Sequence, residues 1–135
     1  MITICMAYYE NGGMLDLHLA EWIQYADKDQ WRVVIVDDCS KRDPALPHIR
    51  DVGFPVELYR ITTDRPWNQN GARNLGMTHV NGWTLLTDMD HLLTLPMARR
   101  LQAFDLNPLS YYRPARVKYV DGHPYKRHPN TYLLH

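Results

Sequence analysis

The sequence predicts an α/β fold in which helices flank a mainly parallel β-sheet, with a β-hairpin at the C-terminus. Short apolar runs rich in β-branched residues alternate along the chain with segments of helical periodicity. Three polar clusters directly follow such apolar runs. Alternating strands and helices produce parallel strands, and ligands bind beyond the carboxyl ends of those strands. We therefore expect these polar clusters to share one crevice.

Two buried strands with a helix between them are predicted first. Residues 2–7 are mostly apolar and β-branched, as expected for a buried strand. Apolar side chains then recur at helical spacing over residues 13–26, which predicts an amphipathic helix. Residues 33–36 form the second apolar run, and Asp37 and Asp38 follow it.

The same alternation continues through the middle of the chain. Prolines and a glycine within residues 41–54 predict a loop with at most one short helix. Residues 56–61 alternate between apolar and polar side chains and predict a third strand. A helix is expected over residues 69–80 and a fourth strand over residues 83–87.

The C-terminal part departs from this alternation. Residues 95–105 predict a helix. Residues 110–120 predict a strand, Asp121-Gly122 is a turn signal, and residues 124–134 are expected to return alongside that strand.

Composition and net charge exclude several function classes. With 45% apolar and 22% charged residues among 135, the sequence is typical of one soluble globular domain. Fifteen basic residues balance 15 acidic ones, which gives no basic surface for sequence-independent nucleic-acid binding. No apolar stretch reaches the ~18 residues of a membrane span, and the start lacks the features of a signal peptide. Two cysteines form no disulfide framework, so the cytoplasm is the expected compartment.

The charges are unevenly distributed along the chain. Residues 1–90 contain 13 acidic and 8 basic side chains, whereas residues 91–135 contain 2 acidic and 7 basic ones. An acidic part beside a basic part suits a site where a cation meets an anionic ligand. Two differently solvated faces that pair with each other explain the same distribution.

Two aspartates at the end of the fourth predicted strand, Asp88 and Asp90, suit a divalent cation. Alternate residues at a strand end bring two carboxylates near one point, and Mg²⁺ and Mn²⁺ prefer such oxygen ligands. Carboxylates so close repel each other unless a cation neutralises them. The alternative is a pair that caps a loop. The earlier pair, Asp37 and Asp38, taken by itself indicates a turn or a helix cap, with Ser40 as the N-cap.

Two further clusters offer contacts for a ligand. Arg73 lies within residues 68–76, where its planar guanidinium is suited to a base carbonyl or a phosphate. A surface ion pair with a nearby carboxylate is the alternative. The Tyr8-Tyr9-Glu10 segment ends the first strand and could stack on and bond to a base, or else pack at the edge of the sheet.

Taken in order, these four clusters resemble the successive signatures of family 2 glycosyltransferases with the GT-A fold, which read P-x-Y-N-E, V-D-D-x-S, a-R-N-x-G and D-x-D. The matching segments are residues 7–11, 36–40, 70–76 and 86–90. The resemblance implies a GT-A fold, a nucleoside-diphosphate sugar as donor and Mn²⁺ or Mg²⁺ as cofactor. It also implies transfer of the glycosyl group to the hydroxyl of a carbohydrate or other acceptor, with inversion.

The resemblance further implies roles for single residues. Six of them are implied in donor binding: Ala7, Tyr9 and Glu10 beside the base, Asp38 bonded to the base, Arg73 reaching the nucleoside, and Asp88 on the ribose. Asp90, together with Asp88, would hold the metal on the diphosphate. His128 is a further candidate ligand, because some GT-A enzymes complete the metal shell with a histidine from their later half. A surface histidine in a basic stretch is the alternative for this residue.

Three parts of the chain depart from the family pattern. The first signature has Met6 or Ala7 where proline is usual, and Tyr9 where asparagine precedes the glutamate, so the exit of the first strand is expected to differ slightly. Cys39 replaces the commoner glycine of the second signature, which is tolerable if position 39 does not need a positive φ. His91 directly follows the D-x-D motif and is unusual there.

The second half of the family pattern is not recognised in this chain. Family catalytic domains run longer, and their second half supplies the acceptor site and the general-base carboxylate. No matching motif follows Asp90, so the catalytic residue stays unassigned. One interpretation is a single, truncated domain, in which residues 1–95 form the nucleotide-sugar-binding core and residues 96–135 begin the acceptor side.

Two functions are compatible with this pattern. One is a glycosyltransferase, and the other is a catalytically incomplete donor-binding module that needs a partner or a missing segment. A truncated sheet would expose an apolar edge and favour a homo-oligomer. A sugar-phosphate nucleotidyltransferase is disfavoured, because Asn11-Gly12-Gly13 lacks the basic residue of the Gly-rich loop in that class.

Overall fold

Four parallel strands form the centre of the main sheet. The structure is a computed structural model that describes residues 1–120, 123–128 and 132–135, with backbone alone for residues 116–120, 123–128 and 132. Its first strands lie where the apolar runs predict them: β1 (Ile2–Tyr8), β2 (Trp31–Asp37), β3 (Val56–Arg60) and β4 (Trp83–Asp88). β1 lies between β2 and β4, and β3 lies beyond β2. The predicted mainly parallel α/β class is confirmed.

Three α-helices follow the predicted order: α1 (Gly12–Ile23), α2 (Gln69–Met77) and α3 (Leu95–Ala103). α1 ends before its predicted limit, and Lys28 satisfies carbonyl groups at its C-terminus. The Lys28 ammonium donates to the carbonyl oxygens of Trp22 at 2.7 Å and Ile23 at 2.8 Å. Lys28 itself begins a short 3-10 helix, and Leu46–His48 forms the one short helix allowed within the predicted 41–54 loop.

The C-terminal strands divide between two sheets. β5 (Arg116–Val120) and β6 (His123–His128) pair antiparallel, as the predicted hairpin requires. β7 (Tyr132–Leu134) instead joins the main sheet, antiparallel to β4. Leu133 supplies the reason, because its side chain is fully buried in the core. The predicted Asp121-Gly122 turn lies outside the described residues.

The core surrounds β1 and β2, whose residues are almost all buried because helices cover both faces of the sheet. α1 contributes Leu15, Leu19 and Trp22 to one face, each with no exposed surface. Burying one such side chain stabilises the fold by about 1.5–3 kcal/mol.

Gly76 allows α2 to lie close to the other face of the sheet. A Cβ atom at this position would stand 2.7 Å from the Cys5 Sγ atom and 3.3 Å from a Val36 methyl group. The close approach fixes α2 against β1 and β2, and it sets the position of the side chains that α2 directs toward the ends of these strands.

Within the described part of the chain, no helix has the length and apolar character needed to cross a bilayer.

Candidate functional site

A cleft of about 640 Å³ opens at the carboxyl ends of the parallel strands. Ala7 of β1 lies opposite Val36 of β2 on one side and Asp88 of β4 on the other. Residues that follow the three strands therefore converge, as expected for a parallel sheet. The segment between β3 and α2 closes the remaining side. The lining residues come from these four segments: Ala7, Tyr8, Tyr9, Asn11, Asp38, residues 64–69, and residues 88–90.

The two aspartates at the carboxyl end of β2 have different roles. Asp37 is buried, and its carboxylate accepts hydrogen bonds from the backbone N–H groups of Ser40 at 2.8 Å and Ala45 at 3.0 Å. Asp37 thus shapes the turn after the strand. Asp38 lines the cleft, and its carboxylate accepts a 2.8 Å hydrogen bond from the Asn68 side-chain amide.

Two side chains of α2 contact the Asp88 carboxylate. Its carboxylate accepts a 2.9 Å hydrogen bond from the Gln69 amide and forms an ion pair with Arg73. Only 16% of the Asp88 side chain is exposed, so these partners offset the desolvation of its charge. Arg73 therefore reaches the predicted site through Asp88, and it is not among the residues that line the cleft.

Asp88, Asp90 and His91 form a group that could hold a metal ion. One ligand atom from each residue lies within 4.8 Å of the others. His91 Nε2 lies 3.2 Å from an Asp90 carboxylate oxygen, and His91 Nδ1 lies 3.9 Å from one of Asp88. Two carboxylates and an imidazole fit Mn²⁺ well, and Mg²⁺ prefers the oxygen ligands.

The sequence predicted His128 as the third metal ligand, whereas the histidine beside Asp88 and Asp90 in the structure is His91. The side chain of His128 lies outside the described side chains, so its predicted role stays a prediction. His91 was noted in the sequence only as unusual after the D-x-D motif. Its adjacency to that motif was the signal that could have identified it.

Glu10 contacts the backbone of the loop that follows β2. Its carboxylate accepts hydrogen bonds from the N–H groups of Lys41, Arg42 and Asp43 at 2.6, 3.0 and 2.9 Å. These backbone donors hold the pKa of Glu10 below its usual value. Glu10 has a φ of 47° and does not itself line the cleft.

The same loop is fixed by side-chain contacts that the sequence did not reveal. The buried Tyr8 hydroxyl donates to the Asp43 carbonyl oxygen at 2.6 Å, and burial raises the pKa of Tyr8 to about 12. His48 lies between two carboxylates, with Nε2 2.8 Å from Asp43 and Nδ1 3.3 Å from Asp16. The hydrogen bond to Asp43 raises the pKa of His48 above its usual value.

Three further residues at or beside the cleft have unusual features. Two of them, Cys39 and Trp67, have a φ in the left-handed region, and two, Trp67 and Tyr9, have exposed aromatic rings. Cys39 has a φ of 63°, so the replacement of glycine in the family pattern does place a side chain on a backbone that favours glycine. Trp67 has a φ of 54° and is 98% exposed. Tyr9 is 55% exposed. Trp67 belongs to none of the four sequence motifs.

Solved structures provide the comparison for this fold. TarS residues 1–349 from S. aureus match 76% of this chain with a TM-score of 0.61 and 18% identity. The same region in complex with UDP-GlcNAc gives a TM-score of 0.63 and 20% identity. The mannosyltransferase PcManGT from Pyrobaculum calidifontis, in complex with GDP-Man and Mn²⁺, matches 67% of the chain with a TM-score of 0.57 and 22% identity.

The matched region is a part of each neighbour, since the chain spans 31% of TarS 1–349 and 28% of PcManGT. No protein-family model and no curated protein matches the sequence. The likeness to the solved structures establishes the fold, which is the GT-A fold that the sequence motifs imply.

Proposed function

We propose that this chain binds a nucleoside-diphosphate sugar together with a divalent cation and serves glycosyl transfer to an acceptor hydroxyl. The observation that carries the proposal is the meeting of Asp38, Asp88 and Asp90 in one cleft at the carboxyl edge of a parallel sheet. Neighbours in fold are described in complex with UDP-GlcNAc, and with GDP-Man and Mn²⁺, which supports this class of ligand.

The charge of the cleft supports a role for the cation. Its lining contains four carboxylates and one guanidinium: Asp38, Asp64, Asp88, Asp90 and Arg65. Asp88 is paired with Arg73 and Asp64 with Lys41, so the excess negative charge comes from Asp38 and Asp90. It repels a diphosphate, which carries about two negative charges near the leaving group. A cation held by Asp90, Asp88 and His91 would reverse this repulsion and neutralise the leaving group.

Residues at and near the start of α2 orient the carboxylates of the cleft. Arg73 and Gln69 fix the Asp88 carboxylate, and Asn68 fixes the Asp38 carboxylate. In the proposed reaction the acceptor oxygen forms a bond to C1 of the sugar while the bond from C1 to the diphosphate oxygen breaks. The protein contributes positioning and electrostatic stabilisation. No general base is assigned to this chain.

A donor-binding module without transfer activity is the second candidate. It is kept because no general-base motif is recognised among the residues that follow Asp90. Release of UDP or GDP from the corresponding sugar nucleotide by the isolated chain, dependent on Mn²⁺, supports the enzyme. Binding of the donor without any release supports the module.

Calorimetric titration tests the binding step common to both candidates. UDP-GlcNAc and GDP-mannose are titrated with Mn²⁺ and again with EDTA, using the wild type, Asp90→Ala and Asp105→Ala. Asp105 is an exposed acid outside the cleft and serves as the matched control. We expect binding to depend on Mn²⁺ and to be lost only in Asp90→Ala. Equal affinity with Mn²⁺ and with EDTA would contradict the metal assignment.

A further inference from the structure

Trp67 is the most exposed large hydrophobic residue among the described side chains. It is 98% exposed although it lines the cleft, whereas Trp22 and Trp31 are buried in the core. A tryptophan side chain can bury 150–250 Å² of mostly apolar surface on contact, at a gain that its exposure here forgoes. The free chain therefore leaves its largest aromatic surface in water beside the proposed ligand.

The backbone at the same residue is strained. Trp67 has a φ of 54°, a conformation that is an outlier for a bulky side chain. Strain of this kind persists where the surroundings over-determine it, and it concentrates at ligand-binding positions. Trp67 therefore combines an exposed apolar surface with a strained backbone. No packing of its side chain against the described residues offsets these two unfavourable contributions.

The sheet order indicates which end of a bound nucleotide Trp67 faces. The segment that carries Trp67 leaves β3, which lies at the opposite edge of the parallel strands from β4. The next residue, Asn68, donates to the Asp38 carboxylate, and Gln69 donates to Asp88 at the end of β4. The other two candidate cation ligands, Asp90 and His91, follow β4. A nucleoside diphosphate with its diphosphate at the cation would extend its base toward Asp38 and Trp67.

We propose that Trp67 stacks on the base of the bound nucleotide. The inference rests on the proposed function. To the base contacts that the resemblance implies for Tyr9 and Asp38, it adds a second aromatic side chain, which comes from the segment between β3 and α2. Every nucleobase offers a π-face, so stacking is tolerant of base identity. Trp67 therefore supplies affinity shared by different nucleotides, and the choice among bases falls to the polar groups of the cleft.

Titrations with UDP, GDP and inorganic pyrophosphate, each with Mn²⁺, test this role. The variants are Trp67→Ala, Trp67→Gly and Trp67→Phe, with Tyr111→Ala as a control for an exposed aromatic outside the cleft. We expect Trp67→Ala to lower the affinity for UDP and for GDP by about tenfold or more, with similar factors for the two nucleotides. Trp67→Phe should retain most of the affinity, and pyrophosphate binding should be unchanged in every variant.

The glycine variant separates a binding role from a structural one. Glycine relieves the positive φ and sacrifices almost no buried surface, so the ligand-free Trp67→Gly variant should melt at or above the temperature of the wild type. It should nevertheless bind UDP as weakly as Trp67→Ala. Equal or higher stability of the ligand-free chain, together with weaker binding of UDP, is the result expected if the strained tryptophan serves the ligand.

Three outcomes would overturn the inference. Undiminished binding of UDP and GDP by Trp67→Ala would exclude stacking while leaving the proposed function intact. An equal loss of pyrophosphate binding would show that the substitution perturbs the cleft as a whole. Absence of UDP and GDP binding to the wild type would refute the proposed function itself, and the inference with it.

Discussion

Arg73 on α2 forms an ion pair with Asp88 at the end of β4. Gly76, one helical turn later, allows α2 to lie close to β1 and β2. The ion pair connects β4 to α2. Because both side chains are largely shielded from water, each depends on the other for compensation of its charge.

Replacing Arg73 by methionine should destabilise the chain by about 1–3 kcal/mol in the absence of metal, because Asp88 then lacks its cationic partner. Urea unfolding measures the change. Saturating Mn²⁺ should reduce the deficit, since the cation supplies the positive charge near Asp88. A deficit that is identical with and without Mn²⁺ would contradict the placement of the cation beside this carboxylate.

Cys39 and its positive φ lead to a second prediction. Cys39→Gly should be more stable than Cys39→Ala by about 0.5–1 kcal/mol, because only alanine retains the left-handed strain. Thermal or urea unfolding compares the two variants directly, and both lose the same thiol.

A matched pair at an exposed helical position provides the control. Ala20 lies in α1 and is exposed, so Ala20→Gly should lower stability by about 0.5–1 kcal/mol. The preference between alanine and glycine therefore reverses between the two positions. The same sign at both would show that residue 39 does not adopt the left-handed conformation in solution.

The sequence was sufficient for the features whose signals are local. β1 and β2 are continuous apolar runs, and burial on both faces of a parallel sheet is what such runs favour. The meeting of Asp38 and Asp88 in one cleft followed from their places after parallel strands. The direct pairing of Arg73 with Asp88 corresponds to the surface ion-pair alternative, although the pair is largely shielded.

Features that depend on distant contacts could not be predicted in the same way. β7 has three residues, and its pairing with β4 and the burial of Leu133 depend on parts of the chain far apart in sequence. The contact of His48 with Asp16 likewise joins residues of α1 and a later loop. The positive φ of Trp67 has no signature in composition or periodicity, because left-handed strain at a bulky residue is set by its surroundings.

Lys28 provides a third prediction, about the end of α1. Its ammonium donates to three carbonyl oxygens, those of Trp22, Ile23 and Val52. Lys28→Met keeps an unbranched side chain but removes the ammonium, which lies 5.2 Å from the centre of the Phe54 ring, and leaves these acceptors without their charged donor. We therefore expect a loss of about 1–2 kcal/mol in the free energy of unfolding.

A second lysine serves as the comparison. Lys41 forms an exposed ion pair with Asp64, and exposed ion pairs contribute little to the free energy of unfolding. Lys41→Met should therefore change stability by less than about 0.5 kcal/mol. Equal losses in the two variants, measured by urea unfolding at the same ionic strength, would contradict the capping role of Lys28.

His48 leads to the last prediction, a pH dependence of stability. Because Asp43, and then Asp16, favour the protonated ring, the pKa of His48 in the folded chain is raised above that in the unfolded chain. The folded state therefore binds the proton more tightly. The resulting stabilisation is fully present below the unfolded pKa of about 6.5 and is lost as the pH rises through the folded value. Unfolding free energies measured from pH 5.5 to 8.5 should accordingly include a declining contribution that His48→Gln removes.

The difference between wild type and His48→Gln isolates this contribution from that of His18. Burial lowers the pKa of His18, so its effect has the opposite sign, and stability falls as the pH drops through its unfolded value. Because His18 is present in both chains, its effect cancels in the difference. A difference that is constant across the pH range, or that grows as the pH rises, would show that the two carboxylates do not hold a proton on His48. The Tyr8 hydroxyl bond to the Asp43 carbonyl oxygen and the bonds from the loop backbone to Glu10 would then remain as contacts that order this loop.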